Sequence, residues 1–316
     1  MRGPTKGPTE MRFDELTAAG RSQLAEFPEG LAARARAVGA DSLASLVYTS
    51  GTTGQPKGVM LTHDNLAFEA QSLAQTMQAH IHSDDLHLLC LPLSHILARI
   101  MVLGGITTGY ANAFSSGLEV LERELLEVRP TFMTVVPAIL EQLHTSFMQE
   151  LEGGNLISRR LVGWARGVGS AVAEVKRWHG PLGLRLGAEH WVAKRLVIER
   201  GLRERLGGRI KFLISGGAAL STDIGEFFES LGLDVVEGYG LTENVGAANV
   251  NRPDRIKLGT VGPPIPGVEE RIAEDGEILI RGRNVMAGYF GMAEDTAAAF
   301  DGEGGLDTGD LWRSDE

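Results

Sequence analysis

Short apolar runs alternate with longer amphipathic segments along most of the chain. Residues 45–48, 86–91, 131–136, 210–214 and 233–236 are brief, mostly apolar and bounded by turn residues or helix signals, which predicts buried strands. Between them lie helical patterns. Residues 64–79 put Leu66, Ala70, Leu73 and Met77 on one helical face. Residues 118–128 stop before Pro130, where a helix should end. Residues 137–151 begin on a proline, which the first turn tolerates. Residues 223–231 stop at Gly232, a good C-terminal cap. Strand–helix alternation predicts parallel strands joined by right-handed crossovers. The expected fold is α/β, with mostly parallel sheets flanked by helices.

Two stretches break this rhythm. Residues 156–177 and 186–206 read as two long helices, joined through His179-Gly180-Pro181-Leu182-Gly183. After about Asn249 the chain becomes dense in Pro and Gly, and then two strands, 268–273 and 277–281, flank the turn Glu274-Asp275-Gly276. The expected division is a lead-in over 1–40, an α/β core over 41–250 with a helical insertion at 155–208, and a smaller β-rich subdomain over 251–316.

Composition narrows the class. The 316 residues suffice for two domains, and 43% hydrophobic with 22% charged residues is ordinary for a soluble globular protein. The net charge of −11 argues against a nucleic-acid partner, whose recognition rests on neutralising phosphates. Between 155 and 209, however, twelve Lys and Arg face four Glu, so this block carries +8. It reads either as a solvated helical face or as a surface for an anionic partner, such as a membrane surface or a phosphate-bearing cofactor. Cys90 is the single cysteine, so no internal disulfide forms, and its apolar surroundings suit inert packing. Residues 1–10 lack the apolar core of a signal peptide. The longest apolar run, 96–106, is interrupted by Arg99 and falls short of the roughly 20 residues of a membrane span. A reduced, cytoplasmic compartment follows, with membrane association as the second reading of the basic block. No oligomeric state is set by the sequence.

The strongest chemical signal is Tyr48-Thr49-Ser50-Gly51-Thr52-Thr53-Gly54-Gln55-Pro56-Lys57-Gly58-Val59, directly after an expected strand. Its glycines let backbone approach a polyphosphate, successive N–H groups can cradle an anion, and hydroxyls and one lysine add donors. It is not a Walker A loop, because Lys57 lies between Pro56 and Gly58. This stretch resembles the phosphate-binding loop of the adenylate-forming superfamily, which includes acyl-CoA synthetases, luciferases and peptide-synthetase adenylation domains. Four further stretches match that family in order. They are Leu91-Pro92-Leu93-Ser94-His95, Gly238-Tyr239-Gly240-Leu241-Thr242-Glu243, Gly276-Glu277-Ile278-Leu279-Ile280-Arg281-Gly282 with Gly288-Tyr289, and Thr308-Gly309-Asp310-Leu311. The helical insertion before Gly207 is similar to that of long-chain fatty acyl-CoA synthetases.

The resemblance implies activation of a long-chain fatty acid by ATP to acyl-AMP, and transfer of the acyl group to coenzyme A, with Mg²⁺ as cofactor. Fatty acid, ATP and coenzyme A are thus the expected small-molecule partners. It implies a nucleotide site built from Thr49, Ser50, Gly51, Thr52, Thr53, Gly54, Lys57, Gly217, Ala218, Glu237, Gly238, Tyr239, Gly240, Thr242 and Asp310. Lys57, Thr49 and Glu243 would be catalytic, with Thr49 and Glu243 holding the metal. The substrate pocket would take His95, Gly216, Gly217 and Gly240. Residue chemistry agrees: Tyr239 offers a flat face to adenine, Glu243 a hard oxygen to Mg²⁺, and Asp310 two acceptors to ribose hydroxyls. Read alone, each keeps a structural alternative. Tyr239 can be a core aromatic, Glu243 a first-turn acid, Asp310 a turn residue and His95 a structural histidine. Relatives are longer, so the chain is expected to be a central fragment without the N-terminal portion and the small C-terminal domain, and with impaired activity. Two alternatives stand beside a ligase: a non-catalytic nucleotide- or acyl-binding module, and a fatty acyl-AMP ligase that delivers to a carrier protein.

Overall fold

A computed structural model describes residues 11–49, 55–153, 156–177, 183–193 and 203–312. The chain divides into two compact units, Met1–Ser42 and Leu43–Glu316. The first unit contains helices α1 (Phe13–Glu26) and α2 (Pro28–Ala37). Asp14 and Glu15 sit in the first turn of α1, where the helix dipole favours acids, and Pro28 opens α2. Neither helix buries a residue.

The second unit carries the site. Its largest sheet has six strands in the order β4 (Ala111–Phe114), β3 (Leu86–Leu89), β5 (Phe132–Val135), β6 (Phe212–Ser215), β7 (Asp234–Tyr239) and β8 (Asn249–Val250). All neighbours are parallel except β7 and β8. Adjacent residues of these strands enter opposite cores. Leu89, Phe132, Phe212 and Val236 join one cluster, and Leu88, Met133, Leu213 and Val235 the other. Such two-sided burial is why the strands read as unbroken apolar runs rather than as alternation.

Helices cover both faces. On one side lie α3 (His63–Met77) and α4 (Ile96–Thr108), which contribute Met77, Ile96 and Ile100 to the first core. The second core takes side chains from α5 (Leu121–Val128), α6 (Pro137–Gly153), α7 (Leu156–Arg177), α8 (Leu184–Ala193) and α9 (Thr222–Ser230). Val162, Ala165 and Val168 of α7 lie in that core, so one face of the basic insertion is structural. The guanidinium of Arg166 lies 5.1 Å from the Phe227 ring centre. Helix α8 ends at Ala193, and the rest of the expected helix up to residue 202 lies outside the described residues.

Two antiparallel three-stranded sheets complete the unit. One orders β1 (Leu43–Thr49), β2 (Lys57–Thr62) and β11 (Gly288–Tyr289). The other orders β12 (Leu306–Leu311), β10 (Glu277–Gly282) and β9 (Val268–Ile272). A short helix, α10 (Ala293–Ala298), follows β11. Strand β1 departs from the expectation of a parallel strand. It pairs antiparallel with β2, and the seven residues between Thr49 and Lys57 are too few for the crossover that parallel strands require.

Candidate active site

One cavity of about 770 Å³ opens beside the C-terminal ends of β6 and β7, where ligands bind in open α/β sheets. Its wall includes Thr49, Lys57, His95, Gly216, Gly217, Gly238, Gly240, Thr242 and Glu243. Nine of the residues expected from sequence therefore meet in one space. Ser50, Gly51, Thr52, Thr53 and Gly54 lie outside the described residues. Among the described residues, Ala218, Glu237, Tyr239 and Asp310 stand outside the cavity wall. Tyr239 and Asp310 still meet each other, through a hydroxyl donated to Asp310 Oδ2 at 2.7 Å. Burial, and then this acidic partner, push the Tyr239 phenol upward. Glu237 is a buried acid in β7; burial raises its pKa, and the backbone N–H groups of Gly259 and Leu220 act against that rise.

Local structure explains how the polar end is built. Thr49 closes β1 and faces Lys57 at the start of β2 across the antiparallel pair. Glu243 lies in a single 3₁₀ turn, Thr242–Asn244. The side chain of Asn244 accepts from Leu241 N at 2.5 Å, and Val245 adopts a left-handed conformation to end the turn. Gly240 is required here, since a Cβ would approach the Gly246 carbonyl to 2.5 Å. Met286 N donates to the Glu243 carbonyl at 2.8 Å, which fastens the turn to the segment before β11.

Both charged groups at this end have a protein partner. Lys57 Nζ is 2.5 Å from Asp295 Oδ1 on α10 and 5.0 Å from the centre of the Tyr289 ring. Tyr289 donates its hydroxyl to Glu243 Oε1 at 2.9 Å. Burial and the Glu243 charge raise the Tyr289 pKa, so the phenol keeps its proton and stays a donor. In the sequence Tyr289 stands only as part of a motif, and Asp295 is unmarked. The Gly-Tyr pair was a usable signal for Tyr289. Asp295 had none, being one acid in a short polar helix.

The other end is apolar. Ile96, Ile100, Met101, Gly104 and Thr108 line the cavity along one side of α4, over about 18 Å at 1.5 Å per residue. Leu73 and Met77 of α3 and Ile214 of β6 belong to the same wall. Tyr110 stands beside the C-terminal end of α4 and donates its hydroxyl to the Met101 carbonyl at 2.5 Å. His95 is exposed and forms the N-cap position of α4, where the channel meets the polar end.

Among the described residues, no three His, Cys, Asp or Glu side chains gather to cage a metal. A single carboxylate beside a threonine instead suits a cation held jointly with polyphosphate oxygens. The donor set of Glu243 and Thr49 fits that use. Also among the described residues, no helix is long and apolar enough to cross a membrane.

Comparison with known proteins decides the family. The family described as AMP-binding enzyme matches residues 6–290. The chain belongs to the AMP-binding enzyme family. It is 37% identical over 304 residues to the long-chain-fatty-acid–CoA ligase FadD15 of Mycobacterium bovis, covering 96% of this chain and 49% of that one. Against fatty acyl-CoA synthetase A of Dictyostelium discoideum it is 35% identical over 292 residues, covering 87% and 42%. The ATP-bound structure of MatB from Rhodopseudomonas palustris superposes with a TM-score of 0.63 at 27% identity, over 88% of this chain and 47% of that one. The chain thus spans about half the length of the curated relatives it matches.

Proposed function

We propose that this chain forms the nucleotide- and acyl-binding centre of an AMP-forming ligase that activates long-chain fatty acids for transfer to coenzyme A. The observation that supports this reading is a single cavity with two chemically different ends. Lys57, Thr49 and Glu243 stand at one end, and an apolar channel follows α4 at the other. A long acyl chain matches an apolar wall of this length, while its carboxylate would emerge near His95 and Gly216, beside the phosphate groups. The named activities of the fatty acyl-CoA relatives agree with that division.

The reaction has two steps. The fatty carboxylate attacks the α-phosphorus of ATP, giving acyl-AMP and pyrophosphate. The thiol of coenzyme A then attacks the acyl carbonyl, and AMP leaves. The work of the chain is positioning and charge stabilisation. Lys57 Nζ would neutralise the outer phosphates. Glu243 and Thr49 would hold Mg²⁺, which would supply neutralising charge to the phosphates. Gly216 and Gly240 line the cavity without side chains of their own, and Tyr239 with Asp310 would take the nucleoside beside it.

Calorimetric titration of this chain tests the reading. Mg-ATP, AMP and a saturated long-chain fatty acid should each bind. Glu243→Ala should weaken Mg-ATP on the order of tenfold and leave AMP nearly unchanged, because the carboxylate acts through the metal. Met77→Trp should weaken the fatty acid and spare Mg-ATP. No heat with either nucleotide, from a sample whose circular dichroism shows folded helix, would overturn the assignment.

A further inference from the structure

The Lys57 ammonium already holds an anion. Its partner is the Asp295 carboxylate at 2.5 Å, on the first turn of α10. Tyr289, six residues earlier, lies under the same ammonium and donates to Glu243. One short segment, β11 to α10, therefore partners both charged groups at the polar end of the cavity. A carboxylate on a lysine and a hydroxyl on a carboxylate satisfy the same atoms that a phosphate and a cation would claim.

We propose that Asp295 is an internal competitor for the outer phosphates, so that triphosphate binding and pyrophosphate release are an exchange at Lys57. This rests on the nucleotide reading given above. When a triphosphate arrives, Lys57 leaves Asp295 for phosphate oxygens. A phosphate left beside Asp295 would face a like charge, so the two anions cannot share the ammonium without cost. After the α-phosphorus has been attacked, the cleaved pyrophosphate is held at Lys57 only by contacts that Asp295 can replace. Recapture of the ammonium by Asp295 then favours departure of pyrophosphate. The lysine never has to stand unpaired, which limits the desolvation cost of each half of the cycle. AMP lacks the outer phosphates and makes no claim on Lys57, so the exchange discriminates among ligands of this one cavity by phosphate number.

The test is calorimetry on the intact chain with magnesium pyrophosphate, Mg-ATP and AMP, in parallel for the natural sequence, Asp295→Asn and Glu294→Gln. Glu294 is the exposed neighbour on the same helix, so its variant removes the same charge from the surface without touching Lys57. Asp295→Asn should tighten pyrophosphate and Mg-ATP about threefold to tenfold, the scale of a partly exposed ion pair, and leave AMP unchanged. Glu294→Gln should match the natural sequence for all three. Weaker pyrophosphate in Asp295→Asn would overturn the proposal and make Asp295 a positioning residue for Lys57. Equal tightening in both variants would reduce it to a general field effect. Failure of AMP to bind any form would instead remove the nucleotide reading, while the pyrophosphate arm still reports on the exchange.

Discussion

Glu69 lies on α3 with none of its surface exposed. It accepts from Ala247 N at 2.9 Å and from Asn284 Nδ2 at 3.1 Å, and Asn284 also donates to the Ala247 carbonyl. Burial nonetheless raises its pKa from 4.5 to about 8. In the unfolded chain the carboxyl ionises near 4.5, and in the folded chain it holds its proton until about 8. Between these values the native state binds more protons, so stability falls as pH rises through that window and levels off above it. The upper bound is about 5 kcal/mol, at about 1.4 kcal/mol per unit. Glu69→Gln should flatten the profile, because an amide carries no proton that titrates in this window. Thermal melts at pH 5, 7 and 9 check this. Parallel curves for the two proteins would show that Glu69 does not titrate in the window. Nothing in the sequence marked this residue. A glutamate on a helix reads as solvent-facing by default, and its burial follows from two partners, at 247 and 284, far along the chain. By contrast Lys57, Thr49 and Glu243 were legible because short motifs with chemical logic carry them. Asp295 was not, because its meaning arises only from the 2.5 Å approach to Lys57.

Among the elements, α4 was the hardest to read. Its sequence, ILARIMVLGGITT, is apolar nearly all round, so it gives no helical periodicity. It also contains two adjacent glycines, which weaken a helix by about 1 kcal/mol each relative to alanine. The structure supplies the reason for both features. One side lines the apolar channel, Ala98 and Gly105 are buried elsewhere on the helix, and Ile106 near its C-terminal end is exposed. At Gly105 a Cβ would run into the Asn112 side chain and come within 3.1 Å of the Tyr110 carbonyl. The glycine thus permits close approach of β4. Gly105→Ala should destabilise by about 1–3 kcal/mol despite its better helix propensity, since overpacking outweighs that gain. Urea unfolding measures the difference, and a stabilised variant would mean that β4 can withdraw freely. Strands β2 and β4 also went unread. The first follows a glycine-rich stretch of sequence, and the second, ANAF, is too short to show a period. Strands β3, β5, β6 and β7 were legible within a few residues because burial on both faces enforces continuous apolar runs.

Across the whole molecule, α3 joins segments separated by about two hundred residues. Asn65 Nδ2 donates to the carbonyls of Arg283 and Val285, at 2.6 and 3.0 Å, while its Oδ1 accepts from Thr62 N. Ser72 donates to the Pro266 carbonyl, and Asp64 pairs with Arg283 at the surface. Strand β11 then completes the sheet begun by β1 and β2. A boundary near residue 250 is a change in composition, and these contacts cross it. We therefore expect Leu43–Glu316 to unfold as one cooperative unit, with the part after 250 giving no earlier transition. Asn65→Ala should expose this coupling. It leaves two part-buried carbonyls without their donor and removes half of a capping box, at a cost of about 1–3 kcal/mol. Asp64→Asn should change little, because an exposed pair contributes little. The decisive readout is the shape of the urea curve for Asn65→Ala, followed by circular dichroism and by protection of backbone amides in β10. A single transition moved to lower urea, with β10 losing protection at the same midpoint, is the expected result. If β10 opened first, with the parallel sheet intact, the α3 contacts would be local fastenings between two separately stable parts, and the cavity that both parts wall would have to assemble late in folding.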